Sequence, residues 1–249
     1  QTRQQACRSC REGHWQPLAK IGNRGRASAA QYRHYGDHSS LHNTAVIRLV
    51  EGRLAWYSPG ASEEPRWLDQ ESCAEDLRRA MAQKRLAVRF AVPGADVRLL
   101  SVPVTAAEKK HISKSLPFTL EEQVAADIEE LHFASCSLDK EHQAVAVCDR
   151  TRMAEWQALL QPYPGIKQWL PEPLLLPWQE GEWCLVVEGD SAIIRVGQCQ
   201  GFTVERDLLG TLLQGVLKEQ EAPSAVVIYG ADQQADTALL PQGLDDRVQ

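Results

Sequence analysis

Two cysteines and two histidines near the start of the chain, Cys7-x2-Cys10 and His34-x3-His38, have the side chains of a zinc shell. A thiolate and a neutral imidazole each offer a lone pair to tetrahedral Zn²⁺. The two pairs are separated by 23 residues, where a zinc finger leaves about 12–15, so no metal is expected and an N-terminal extension is the simpler reading. A second group, Glu121, Glu122, Asp127, Glu129 and Glu130, puts five carboxylates within ten residues. Such a cluster could hold a divalent cation or move protons, but carboxylates also gather where a helix starts because the dipole favours them there, and a solvated acidic face is the reading adopted. His132 lies in a strand-like run with no Ser or Cys nucleophile beside it in sequence, as a core or edge histidine does. The chain has no Gly-x-Ser-x-Gly, no His-Glu-x-x-His and no Walker loop. No catalytic residue and no cofactor are expected.

The elements that position these groups are set by composition and pattern. Of 249 residues, 43% are hydrophobic and 24% charged, with a net charge of -6. That excludes collagen-like and wholly disordered chains and leaves room for one large or two modest cores. No apolar run reaches the ~18 residues that span a bilayer, and Leu174-Leu175-Leu176 stops at Pro177. The sequence as given reads as soluble; opening on Gln1 without a signal segment, it reads as a piece of a longer protein. Its seven cysteines, at 7, 10, 73, 136, 148, 184 and 199, are odd in number and mostly sit in apolar runs. Buried thiols in a reducing, cytosolic compartment fit this better than a disulfide framework.

Residues 1–42 carry seven Lys or Arg against Glu12 and Asp37, a net +5, so the other 207 residues sum to -11. The first stretch is read as a basic disordered arm. It lacks regularly interleaved aromatics and is joined to an acidic body, so no nucleic acid is expected. From near Asn43, Thr44–Val50, Glu51-Gly52 and Arg53–Tyr57 predict a hairpin. A short strand near Trp67 follows, then a helix from Ser72 to about Gln83, with Ser72 and Glu75 as a capping box, and a strand over Leu86–Val92. The order β-β-β-α-β returns at Glu182–Val187, Ser191–Val196, Gly201–Val204, a helix with Leu208, Leu209, Leu212, Leu213, Val216 and Leu217 on one stripe, and Ala225–Tyr229. A closing helix is predicted over 232–239. Between the repeats, Thr105 with Glu108 and Thr119 with Glu122 predict two short capped helices hinged at Pro117. Strands near Leu131 and Gln143–Val147 follow, then a helix from about Thr151 with Met153, Trp156, Leu159 and Leu160 inward.

The predicted fold is therefore α/β, with duplicated ribonuclease-H-like (reduced actin-like) halves and an inserted α+β subdomain. Its expected parts are the arm (1–42), a first unit (43–104), the insertion (105–170) and a second unit (171–249). Actin-like ATPases hold phosphates with Asp- and Gly-bearing hairpins at the first strand of each half. Here the first hairpin has Glu51-Gly52 and no Asp, while the second has Gly189-Asp190, which any tight turn also uses. Gly230-Ala-Asp232 fits a strand-to-helix turn capped by Asp.

The segment Phe90-Ala-Val-Pro-Gly-Ala-Asp-Val-Arg-Leu-Leu-Ser-Val-Pro103, with Leu116-Pro-Phe-Thr-Leu-Glu-Glu-Gln-Val-Ala-Ala-Asp127 and Leu131-His-Phe-Ala134, resembles the cytoplasmic domain of type II secretion system protein L. Further matches are Pro171-Glu-Pro-Leu-Leu-Leu-Pro-Trp178, Gly181-Glu-Trp183, Arg195-Val-Gly197 and Gly201-Phe202, so the likeness runs over about 44–241. The resemblance implies a non-catalytic adaptor on the cytoplasmic side of the bacterial inner membrane. It would hold the secretion ATPase, protein E, and connect through parts outside these residues to protein M, the pseudopilus and a membrane helix, as a homodimer. The alternative is an actin-like nucleotide-binding switch or ATPase. For the adaptor, partner contacts are assigned to the Pro-hinged insertion through Phe118, Glu121, Glu122 and Asp127. For Phe118 the competing reading, an anchor of the core beside Leu120, is preferred.

Overall fold

The computed structural model of the chain describes residues 16–17, 44–58, 65–83, 86–105, 112–229 and 232–248, with the backbone alone for 16–17 and 112–114. The two Cys/His pairs, Glu108 of the first capping box and Gly230-Ala231 lie outside the described residues, as does the arm apart from a two-residue strand, β1 (Gln16–Pro17). The described residues fall into two compact units, one running to Val92 and including Ser101–Leu170, the other made of Pro93–Leu100 and the chain from Pro171.

The first unit starts with the predicted hairpin. Strands β2 (Thr44–Val50) and β3 (Arg53–Tyr57) pair antiparallel from Val46↔Tyr57 to Val50↔Arg53. Glu51 and Gly52 both take positive φ, 49° and 76°, as a two-residue turn between right-twisted strands requires. Strand β4 (Arg66–Trp67) adds antiparallel to β3, and helix α1 (Glu71–Ala82) then returns the chain so that β5 (Ala87–Val92) lies parallel to β2. The core of the unit gathers fully buried Ile47, Leu77 and Phe90, with the Phe90 ring set edge-on to Trp169 at 5.0 Å. Each such side chain contributes about 1.5–3 kcal/mol on burial.

The insertion supplies a second sheet. Preceded by β6 (Val97–Pro103), it contains helix α2 (Ile112–Leu120), β7 (Leu131–Ser137), β8 (His142–Asp149) and helix α3 (Arg150–Leu159). The sheet order is β1-β7-β8-β6. Asp149 caps α3, its carboxylate accepting from the Thr151 and Arg152 amides at 2.6 and 3.4 Å. Trp156 and Leu160 face inward, while Leu159, expected inside, is exposed. Strand β9 (Gln168–Pro171) then closes the first sheet beside β5.

The second unit repeats the pattern with β10 (Glu182–Glu188), β11 (Ser191–Gly197), β12 (Gln200–Glu205), helix α4 (Leu209–Glu219) and β13 (Ala225–Tyr229). Its order, β12-β11-β10-β13, matches β4-β3-β2-β5 of the first sheet, each with two antiparallel pairings and a parallel last strand. This is the duplicated ribonuclease-H-like, reduced actin-type architecture. Of the leucine stripe, Leu209 and Leu213 are fully buried, and Leu208 and Leu212 are exposed. Residues 233–237 form α5 (Gln233–Thr237), capped by the Asp232 carboxylate on the Ala235 amide.

Two capping boxes are corrected. Helix α1 begins at Glu71, with Gln70 as its N-cap and no side-chain cap, so Ser72 and Glu75 make no box. Helix α2 runs through Pro117 to Leu120, and Thr119 sits inside it, donating its hydroxyl to the Ser115 carbonyl at 3.1 Å. Leu116 and Leu120, four residues apart on one face, are both fully buried. Their burial offsets the hydrogen bond that proline removes. In place of a second helix there is a 3₁₀ turn over Glu121–Gln123.

A junction inside the second unit holds its irregular segment. The Arg195 guanidinium, on β11, donates to the Leu174, Leu176, Gly197 and Gln198 carbonyls at 3.0, 2.7, 3.2 and 2.6 Å. Nearby, the Gly94 amide donates to the Glu172 carboxylate at 3.0 Å. A Cβ on Gly201 would lie 2.5 Å from the Ile194 carbonyl and 2.7 Å from Pro173 Cβ. Backbone cannot turn aside as a side chain can, so Gly201→Ala is expected to cost about 1–3 kcal/mol, a fall in Tm of roughly 2–12 °C. Gly215, on α4, has nothing within 4 Å of such a Cβ, so Gly215→Ala should instead stabilise by about 0.5–1 kcal/mol. Thermal unfolding of the two variants, with opposite signs expected, checks the assignment.

Candidate functional site

Helix geometry decides where the proposed contact residues point. With Leu116 and Leu120 inward, a residue two positions on from Leu116 is turned about 200° away, and Phe118 is 62% exposed. The core reading preferred for Phe118 is thus overturned, while Leu120 is fully buried as expected. The 3₁₀ turn that follows α2 exposes Glu121 and Glu122 within about one turn of Phe118. These three residues form one local surface. Asp127 is separate from it. Its carboxylate accepts from the Glu129 amide at 2.9 Å and its carbonyl from the Glu130 amide at 2.9 Å, so it shapes the turn into β7. Glu129 and Glu130 are also exposed, and residues 118–130 contain no Lys or Arg. The patch is an exposed aromatic beside a run of exposed carboxylates.

The other candidates have local explanations. The Gly189-Asp190 turn joins β10 to β11 with Gly189 at φ 59°, a value this tight turn needs. Asp232 is a helix cap. Among the described residues, no three His, Cys, Asp or Glu side chains gather as a metal shell. Cys136, Cys148, Cys184 and Cys199 are buried and stand outside any disulfide. Burial, seconded by Glu182, pushes the Cys184 thiol up to about 11, so it is a poor nucleophile near neutrality. The strand register also sets His132 opposite Cys148, a neighbour that sequence proximity does not reveal.

The model of the family described as type II secretion system (T2SS), protein L, matches residues 57–249. A type II secretion system protein L of Pectobacterium carotovorum subsp. carotovorum is 25% identical over 201 residues, which are 78% of this chain and 47% of that protein. The Klebsiella pneumoniae protein of the same name is 33% identical over 179 residues, 71% of this chain and 45% of that one. The chain spans about half the length of the curated relatives it matches. Among solved structures, the cytoplasmic domain of EpsL, an inner membrane component of the type II secretion system of Vibrio cholerae, superposes with a TM-score of 0.63 at 21% identity. That match covers 83% of this chain and 88% of that domain. It shows a shared fold.

His132 carries a pH consequence. Desolvation by burial, then the Arg150 charge, lowers its pKa below the ordinary 6.5. The unfolded chain therefore takes up a proton near pH 6.5 that the folded chain still refuses. Stability falls as pH drops through that value and continues to fall until the folded-state pKa is reached. In His132→Gln, the loss of Tm between pH 7.5 and 5.5 should be smaller than in the wild type, as thermal melts across that range would show.

Proposed function

The chain belongs to the type II secretion system protein L family, and on that premise we propose that it is the cytoplasmic adaptor part of an inner-membrane secretion component, recruiting the secretion ATPase, protein E. The observation that supports this most is Phe118. A chain that buries Leu116 and Leu120 leaves the largest side chain of the same helix in water, and an exposed aromatic of this kind suits an interface anchor. Glu121 and Glu122 beside it favour a basic face on the partner, which would speed encounter and set orientation. A recruiter needs a rigid surface of at least ~1,000 Å² in total and no reactive group, in keeping with a buried, high-pKa thiol at Cys184 and carboxylates engaged in caps and turns. Contacts to protein M and the pseudopilus, together with the membrane helix, are assigned to the half of the family protein that this chain does not span.

Calorimetric titration of the 249-residue chain with the ATPase tests the proposal. Phe118→Ala should weaken binding at least about tenfold, roughly 1.4 kcal/mol, with Tm kept because the residue makes little core contact. A Glu121→Lys, Glu122→Lys double variant should weaken it further and flatten its dependence on salt. No binding by the wild type would end the adaptor reading, and heat from Mg-ATP without heat from the ATPase would favour the nucleotide switch.

A further inference from the structure

We infer that a cationic groove between β3, β4 and α1 is a second docking site, which takes an acidic peptide segment of a partner protein. The groove encloses about 350 Å³. Its floor is apolar, made by the Trp56 indole with Ala80 and Leu86. Its polar lining is Arg66, Asp76, Arg79 and Gln83.

Hydrogen bonding in the groove is unbalanced. Arg66 and Arg79 share one carboxylate, Asp76, at 2.5 and 3.5 Å. Each guanidinium carries five N–H donors, so most of theirs have no acceptor among the described residues. The Arg66 guanidinium lies 4.3 Å over the Trp56 ring. Trp56 is 3% exposed, and its indole N–H is buried without a hydrogen-bond partner among the described residues. A buried donor left in that state is unfavourable, and the indole reports on whatever enters the groove. With two cations and one anion among the described lining residues, the ligand this rim favours is a carboxylate.

Shape distinguishes the source of the carboxylate. Pockets for free small molecules enclose most of the ligand, whereas the Arg79 side chain on this rim is 65% exposed. A shallow, donor-rich rim over an apolar floor suits a segment delivered by a larger partner. One Glu or Asp side chain meets the Arg79 fork, an apolar neighbour rests on Ala80 and Leu86, and Arg66, beside the indole, joins the carboxylate. This groove bears the opposite charge to the Phe118 surface and uses none of its residues.

The test follows the indole N–H signals of the ¹⁵N-labelled 249-residue chain, with Trp56 identified by triple-resonance assignment. The titrant is an acetylated, amidated Glu-Leu-Glu-Leu-Glu-Leu peptide, with the matching Gln-Leu peptide and sodium glutarate as controls. The acidic peptide should move the Trp56 signal saturably, and Arg79→Glu, or the milder Arg79→Gln, should weaken that binding at least tenfold. A Trp56 signal unmoved by millimolar acidic peptide, equal binding of the Gln peptide, or unchanged affinity in both Arg79 variants would overturn the proposal. So would glutarate acting as strongly at equal carboxylate concentration, since that would make the site one for small carboxylates.

Discussion

One guanidinium ties the irregular segment of the second unit to its sheet. Between β9 and β10 the chain runs through residues 172–178, where Pro173 and Pro177 keep it out of a sheet ladder, yet its carbonyls still need donors. Arg195 supplies them from β11, reaching two carbonyls of that segment and two of the β11–β12 turn. The 3₁₀ turn over Glu172–Leu175 is thereby held beside β11 and β12. There Pro173 packs on Gly201, and Thr203 leaves no room for a side chain at Gly94. A single residue with five donors can do this because the glycines let backbone and ring approach closely. Lysine could not, since it has three donors and no planar fork.

This junction also gathers several of the residues that carry the family likeness. Pro93-Gly94, Pro171-Glu-Pro, Arg195-Val-Gly197 and Gly201-Phe202 are far apart in sequence and adjacent in the fold. Their chemistry is packing and backbone satisfaction, with no acid, base or nucleophile among them placed for reaction. A motif of this kind identifies a scaffold. Recognition is read instead from exposed groups, here Phe118 and the Arg79 rim beside Trp56.

Signals confined to a few neighbouring residues were legible in the sequence. Glu51-Gly52 and Gly189-Asp190 announced hairpins because positive φ is a local demand, and Asp232 announced its helix because a cap acts within three residues. The repeated β-β-β-α-β order followed from such signals, and with it the duplicated fold. Pro117 misled because its local tendency to break a helix was opposed by burial of Leu116 and Leu120, a tertiary term. Ser72 misled because a capping pattern one residue inside a helix looks the same as one at its start. The pairing of His132 with Cys148, and the groove joining Trp56 to Arg79, depend on strand register and helix packing, and no spacing along the chain encodes them.

The central claim is that the carboxylate-flanked face at Phe118 is where this family member holds its ATPase. Hydrogen exchange of the full chain, followed with and without saturating ATPase, addresses it directly. The account predicts slowed exchange concentrated in residues 116–130, with the strands of the second unit unchanged. Protection confined to the second unit, or none at all in a complex shown to be saturated, would contradict it.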